Sequence, residues 1–209
     1  MRLFNVRCDQ EKAELLADAI AAERAREKAW LRQRRDELAV RVRAERLTAG
    51  QRGAAERAIT AELEQLRIDG QLRGTRSAYL APVVRDLLAE RGWNRRFKPV
   101  PARRRGRPWG ASDQGFQGRV GVYLPDDLAD QVERACYAVS APALAKLERW
   151  HDRHGDHWRG HLHSPDRART GQGPSTTDLA TKQRLADQVW NPARFLRDAI
   201  DKALQMTEK

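Results

Sequence analysis

The chain has 209 residues, which fits one or two domains, and 40% of them are apolar while only 6% are aromatic. These fractions lie below the globular average, so we expect a thin and mostly helical core. Lys and Arg number 40 against 29 Asp and Glu, the net charge is +11, and 33 of the basic residues are arginine. Because arginine suits planar contacts to phosphate and guanine, an anionic partner is expected.

Several classes of protein are excluded at the same level. No apolar run approaches the ~20 residues of a membrane span, and residues 1–9 lack the hydrophobic segment of a signal peptide. Both cysteines, Cys8 and Cys136, lie on predicted apolar faces, which indicates reduced core residues and not a disulfide framework. We therefore expect a soluble, cytoplasmic protein without a membrane partner. No Gly-rich phosphate loop, serine triad or paired carboxylates stand out, so no cofactor is expected.

The first half of the chain is predicted to begin with a strand and continue as helices. Alternating apolar residues over Leu3–Cys8 predict a strand with one buried face. Residues 9–49 contain neither Gly nor Pro and are mostly strong helix formers, which predicts a helix that is continuous or broken once. Thr48 indicates a stop and a new start, and Thr75 suits the cap of a third amphipathic helix. That helix contains Pro82, which favours a kink.

Residues 98–118 form a linker rich in Pro, Gly and Arg. It contains the sequence Arg103-Arg104-Arg105-Gly106-Arg107-Pro108, whose Arg-Gly-Arg-Pro core resembles the AT-hook. In that motif an extended backbone places guanidinium groups in the narrow minor groove of A·T tracts. The resemblance implies minor-groove contacts by Arg103, Arg104, Arg105 and Arg107. A basic linker without groove insertion is the alternative.

A second alternating strand is predicted directly after the linker, over Arg119–Leu124. A helix is predicted to begin at Pro125, with Leu128, Val132 and Ala135/Cys136 as its buried stripe. Further helices are predicted over 143–150, 178–189 and 191–204. A loop is predicted over Thr170–Thr177. The last helix has Asn191 as its cap and Pro192 at its first position, where proline loses no hydrogen bond.

The two halves of the chain match at an offset of 116 residues. Subtracting 116 places Val120, Val122 and Leu124 on Phe4, Val6 and Cys8. The same offset places the last helix on 75–88, with both apolar stripes in phase. Residue identity across the offset is sparse, so the duplication is inferred from the pattern alone. Chance alignment of common elements is the alternative.

A strand, a helix and a later capped helix, in that order, resemble the ribbon-helix-helix DNA-binding family. The resemblance implies a mainly α fold, namely a tandem ribbon-helix-helix-like pseudo-dimer with helical insertions. Strand 3–8 would pair antiparallel with strand 119–124 in one two-stranded ribbon within a single chain. Helices of the family normally follow each other after a short turn, so the predicted insertions depart from it. They leave 141–150 as a competitor of 191–204 for the second motif helix.

In the ribbon-helix-helix family the ribbon enters the major groove, and its outward residues read the bases. The resemblance implies base reading by Asn5 and Arg7 from one strand, and by Arg119 and Tyr123 from the other. It also implies phosphate binding at the amino ends of the second motif helices. The residues concerned there are Thr75, Arg76, Ser77, Asn191 and Arg194.

All five histidines lie within residues 151–163. His161-Leu162-His163 resembles the His-hydrophobic-His signature of rolling-circle replication and relaxase nucleases, in which the imidazoles hold a metal and a tyrosine is the nucleophile. Those enzymes need a multi-stranded sheet, which is not predicted here, and no Cys or helical Glu completes a zinc pattern. We therefore expect neither a metal site nor a catalytic residue. The tyrosines available to the nuclease alternative are Tyr79, Tyr123 and Tyr137.

The sequence thus favours a sequence-specific double-stranded DNA-binding protein. By resemblance it would be a bacterial, nucleoid-associated regulator or an accessory factor of a plasmid, phage or conjugative element. The predicted domains are 1–97 for the first repeat, 98–118 for the linker and 119–209 for the second repeat. Self-association on adjacent DNA sites stays open. The alternatives are the nicking enzyme, distinguished by metal-dependent cleavage, and a helical scaffold, distinguished by lack of DNA affinity.

Overall fold

A computed structural model of the protein describes residues 1–101, 115–154 and 174–207. The described chain is mainly helical and contains a two-stranded antiparallel sheet, as the sequence predicted. The elements in chain order are β1 (Arg2–Cys8), α1 (Gln10–Glu45), α2 (Ala49–Ile68), α3 (Arg76–Glu90), β2 (Gly118–Leu124), α4 (Asp126–His154), α5 (Thr176–Asp187) and α6 (Pro192–Thr207).

The contacts divide the protein into two compact units. The first contains Met1–Asn94, Gly115–Ala129 and the described residues from Leu196 onward. The second contains the described residues of Arg95–Gln114 and Asp130–Phe195. Both strands belong to the first unit, although they come from opposite halves of the sequence.

β1 and β2 pair antiparallel within the one chain, which confirms the predicted ribbon. The register runs from Arg2 opposite Leu124 to Cys8 opposite Gly118, with Asn5 opposite Gly121 in the middle. A Cβ atom at position 118 would lie only 2.8 Å from the Asp9 carbonyl oxygen. Glycine therefore permits the close backbone approach at this end of the ribbon.

One face of the ribbon is buried in the core of the first unit. Val6 and Val122 are fully buried and Val120 is 4% exposed, as the alternating pattern predicted. Both α1 and α3 pack against β2. The buried apolar side chains of these two helices are Leu16, Ile20, Tyr79, Leu80, Ala81, Val83, Val84, Leu87 and Leu88.

Polar caps fix the helix starts that the sequence indicated. The Thr48 hydroxyl accepts from the Gln51 N–H at 3.3 Å and the Gln51 side chain accepts from the Thr48 N–H at 2.8 Å, which forms a capping box at the start of α2. The Thr75 hydroxyl accepts from the Ala78 N–H at 3.1 Å and caps α3. The latter helix continues through Pro82.

The interpretation of 141–150 as a separate helix, and so as a candidate for the second motif helix, was wrong. These residues are part of one helix, α4, which continues through Pro142. Proline removes one N–H donor from a helix, and the surrounding Ala and Leu residues favour continuation. Residues 141–150 are therefore not a separate helix. The predicted loop was also too long, because Thr176 and Thr177 already belong to α5 behind the Ser175 cap.

In the second unit, α4 is tied to the segment around α5 by apolar and polar contacts. Ala143, Leu144 and Val189 form a buried cluster, against which Tyr137 packs. The fully buried Ser140 hydroxyl donates to the Trp190 carbonyl at 2.9 Å and accepts from the Trp190 N–H at 2.7 Å. Both polar groups of this backbone position are thus satisfied.

The starts of the elements recur at the offset found in the sequence. β1 and β2 begin at residues 2 and 118, α1 and α4 at 10 and 126, and α3 and α6 at 76 and 192. Each pair of starts differs by 116 residues. The pairing register is also centred on Asn5 and Gly121, which correspond to each other under this offset.

The burial of the two free cysteines predicts slow thiol chemistry. Cys8 is 2% exposed and Cys136 is fully buried. Burial first, and then the nearby Asp9 and Asp201 carboxylates, raise the pKa of the Cys8 thiol. Because the thiolate is the reactive form, we expect both thiols to resist a maleimide reagent in the native protein and to react at once in denaturant. Rapid labelling of native Cys8, measured by mass spectrometry, would contradict the position of β1.

Over the described ranges, none of the helices combines the length and the apolar character that crossing a bilayer requires.

Candidate nucleic-acid interface

The exposed face of the ribbon carries all four residues predicted to read bases. Asn5, Arg7, Arg119 and Tyr123 are exposed, while the positions that alternate with them point into the core. Three cross-strand pairs make up this face, namely Leu3 with Tyr123, Asn5 with Gly121 and Arg7 with Arg119. A two-stranded β-ribbon has dimensions that fit the major groove of B-DNA.

One end of the ribbon face is strongly cationic. Arg7 and Arg119 lie directly opposite each other on neighbouring strands, which places their Cβ atoms about 4.5–5.5 Å apart. No carboxylate pairs with either guanidinium group within the described ranges. Like charges in this position cost stability, so the pair does not contribute favourably to folding.

The opposite end of the ribbon face is apolar. Leu3 is 45% exposed and Tyr123 opposite it is 46% exposed. Exposed apolar side chains can contact the methyl group of thymine in the major groove. The exposed face of the ribbon therefore has two arginines at one end and two apolar side chains at the other.

Arg197 supports the cationic end of the ribbon, a role that sequence reasoning missed. Its Nη1 atom donates to the Arg7 carbonyl oxygen at 3.0 Å, and its guanidinium carbon lies 4.5 Å from the centre of the Phe116 ring. The hydrogen bond joins residues 190 positions apart, so no local pattern could have indicated it. Arg197 thus fixes the backbone that carries Arg7.

Three of the predicted phosphate-binding residues lie at the start of α3. The Thr75 hydroxyl is engaged as the cap, which leaves the first-turn N–H groups of Arg76 and Ser77 without a partner in the described part of the chain. Free N–H groups and the helix dipole favour an anion at such a position. The Arg76 guanidinium extends beyond the helix, and its Nη1 atom lies 3.7 Å from the place of a Cβ atom on Gly121.

The other two predicted phosphate-binding residues lie in the second unit and have internal partners. The Asn191 Oδ1 atom accepts from the Arg194 N–H at 2.7 Å and so acts as the predicted cap. Arg194 donates to the Asp187 carbonyl at 2.6 Å and to the Val189 carbonyl at 3.2 Å, and lies 4.2 Å from the Trp190 ring centre. These contacts occupy its guanidinium at the carboxyl end of α5.

A second cationic surface lies on the long helix α1. Lys28, Arg32 and Arg35 are exposed and, spaced four and three residues apart, share one helix face, which we call the α1 stripe. Neighbouring Arg34 and Arg41 instead form ion pairs with glutamates of α1 and α2. Within the described residues, the three members of the α1 stripe have no carboxylate partner. Their charge is therefore available to an external anion.

The remaining predicted features lie wholly or partly outside the described residues. Arg103, Arg104, Arg105 and Arg107 of the AT-hook-like segment fall in 102–114. His157 and the His161-Leu162-His163 motif fall in 155–173. Among the residues that are described, no three His, Cys, Asp or Glu side chains form a group that could hold a metal ion. Of the three tyrosines, Tyr79 is buried, Tyr137 packs against a core cluster and Tyr123 lies on the ribbon.

Comparisons of the chain with protein-family models, curated proteins and solved structures gave no match. The geometry of the ribbon and of the residues around it is therefore the basis for assigning a function.

Proposed function

We propose that the protein binds double-stranded DNA sequence-specifically by inserting the exposed face of the β1–β2 ribbon into the major groove. The observation that carries the proposal is the placement of Arg7 opposite Arg119, exposed and without a carboxylate partner among the described residues, beside Asn5 on the same face. Arg pairs with guanine and Asn with adenine through two hydrogen bonds each. By its resemblance to the ribbon-helix-helix family, the protein would act as a bacterial regulator or as an accessory factor of a mobile element.

The recurrence of element starts supports a tandem ribbon-helix-helix-like pseudo-dimer. A dimer of this kind needs a ribbon whose pairing is symmetric about its middle. The register around Asn5 and Gly121 and the common offset of 116 residues both meet that requirement. A single chain would then replace two identical subunits, so the two strands are free to differ, and the DNA site would be asymmetric.

Affinity for the DNA backbone is a separate part of the proposal. The α1 stripe and the net charge of +11 supply cations that can replace the counterions of phosphates. Such contacts hold a protein on DNA without reading the sequence. A helical scaffold would instead lack affinity for DNA at physiological salt.

The test of the proposed function is selection of bound fragments from a random double-stranded DNA pool at physiological ionic strength. We expect enrichment of one asymmetric site that contains a guanine at the end contacted by Arg7 and Arg119. Binding of all fragments with equal affinity would contradict base reading, and absence of binding would favour a scaffold. Incubation of the selected DNA with Mg²⁺ or Mn²⁺ tests the nicking alternative, for which we expect intact DNA.

Neutralising the α1 stripe should weaken binding to all DNA sequences alike. In the variant Lys28→Gln/Arg32→Gln/Arg35→Gln, we expect the slope of log affinity against log salt to become shallower by about one unit for each phosphate that the protein no longer neutralises. The matched control is Arg41→Gln, because Glu45 already neutralises that arginine. A weakening confined to the preferred sequence, measured by fluorescence anisotropy at several salt concentrations, would contradict a backbone role.

A further inference from the structure

At the middle of the ribbon, only one of the two paired residues carries a side chain. Asn5 and Gly121 form the central pair, and Gly121 presents no side chain on the exposed face. Under the proposed function, this position faces the middle of the DNA site. Only one of the two strands can therefore contact a base at this position through a side chain.

Arg76 fills the space beside Gly121. Its Nη1 atom lies 3.7 Å from where a Cβ atom on Gly121 would be, and the Leu3 Cδ1 atom lies 3.3 Å from the same point. Because residue 121 alternates with buried Val120 and Val122, that Cβ direction points to the exposed face. The guanidinium of Arg76 therefore reaches the ribbon face from the first residue of α3.

The Arg76 guanidinium is exposed, and no acidic side chain or carbonyl oxygen of the described residues holds it there. This contrasts with Arg194, whose guanidinium is occupied by two carbonyl groups. Under the offset of 116 residues, Gly121 corresponds to Asn5 and Arg76 corresponds to Pro192. In the pair Asn5 and Pro192 the polar side chain is on the strand, whereas in the pair Gly121 and Arg76 it is on the helix.

We propose that Arg76 reads the base pair at the middle of the DNA site, in the place left open by Gly121. This inference depends on the proposed function and refines it, because the resemblance to ribbon-helix-helix proteins assigns this residue to phosphate instead. The guanidinium donates two hydrogen bonds, to the O6 and N7 atoms of a guanine next to the base contacted by Asn5. Specificity at the centre of the site therefore comes from a helix and from only one of the two strands.

The experiment compares three variants with the wild type by selection from a random DNA pool, followed by affinity measurements on the selected site. In Arg76→Ala, we expect the base preference at the middle of the site to disappear while the preferences on both sides remain. Affinity for the selected site should fall roughly 5- to 150-fold, whereas affinity for unrelated DNA changes little. Arg85→Ala is the matched control, since it removes an exposed arginine from the same helix and should change neither quantity.

The conservative variant Arg76→Lys separates base reading from a phosphate contact. Lysine keeps the positive charge and can still donate to guanine, but it lacks the planar fork, so base reading predicts a weaker central preference with affinity for unrelated DNA retained. An undiminished central preference in Arg76→Lys, or an equal weakening on all sequences in Arg76→Ala, would overturn the proposal. Failure of the wild type to select any site would instead overturn the proposed function itself, so the two failures are distinguishable.

Discussion

Replacing Arg7 or Arg119 by alanine should weaken binding to the preferred DNA site without weakening the fold. We expect a loss of about 1–3 kcal/mol on that site and relaxed preference at the guanine contacted. The two arginines lie opposite each other on the exposed face, so removing one also relieves like-charge repulsion. The free energy of unfolding should therefore stay the same or rise by up to about 1 kcal/mol.

Arg57→Ala is the control for these variants, because it removes an exposed arginine of α2 outside the ribbon. It should alter neither the base preference nor the free energy of unfolding. If Arg7→Ala and Arg119→Ala lowered affinity for every sequence equally, the arginines would bind phosphates and would not read bases. A drop in stability would contradict their exposed and unpaired position.

Replacing either of two adjacent β2 residues by aspartate should disrupt folding in one case and DNA binding in the other. Val122 is fully buried and faces the core, whereas Tyr123 is 46% exposed. In Val122→Asp an unpaired carboxylate enters the core, which should cost at least about 3 kcal/mol or abolish the fold of the first unit. Tyr123→Asp should cost only about 1 kcal/mol, from the lost cross-strand pair with Leu3 and the lower strand propensity of aspartate. Chemical denaturation followed by circular dichroism measures both.

Tyr123→Asp should nevertheless lose DNA affinity, because it places a carboxylate on the face that approaches the phosphates and bases. Equal stability of the two variants would contradict the alternation of β2. Normal DNA binding by Tyr123→Asp would show that the ribbon face is not the interface. The pair therefore tests the register of the ribbon and its proposed use in one experiment.

Strands, caps and most helices could be predicted because local physical chemistry determines them. Alternation of apolar residues placed both strands and both faces of the ribbon correctly, including the buried Val6 and Val122. Side-chain oxygens at Thr48 and Thr75 marked helix starts because the N–H groups of the first helical turn need a hydrogen-bond acceptor. An isolated strand leaves its backbone groups unpaired, so a partner strand was expected, whereas its antiparallel direction was implied by the resemblance to the ribbon-helix-helix family.

Other features depend on contacts between distant residues and could not be predicted from local patterns. Pro142 favours a break in α4, but the helix continues through it. The roles of Arg194 and Arg197 depend on which carbonyl groups their guanidinium ends reach, and those lie in other elements. The place of Arg76 at a helix start predicts a phosphate contact, whereas its side chain extends to the ribbon beside Gly121. Helix position alone cannot specify where a long side chain ends.

The most direct test of the ribbon as a major-groove reader is methylation interference on the selected DNA site. Methylation of guanine N7 blocks an acceptor in the major groove, whereas methylation of adenine N3 blocks one in the minor groove. We predict that N7 methylation of the guanine at the Arg7 and Arg119 end abolishes binding, and that the double variant Arg7→Ala/Arg119→Ala removes this sensitivity. Interference by adenine N3 methylation alone, or by neither modification, would contradict recognition of the major groove by the ribbon.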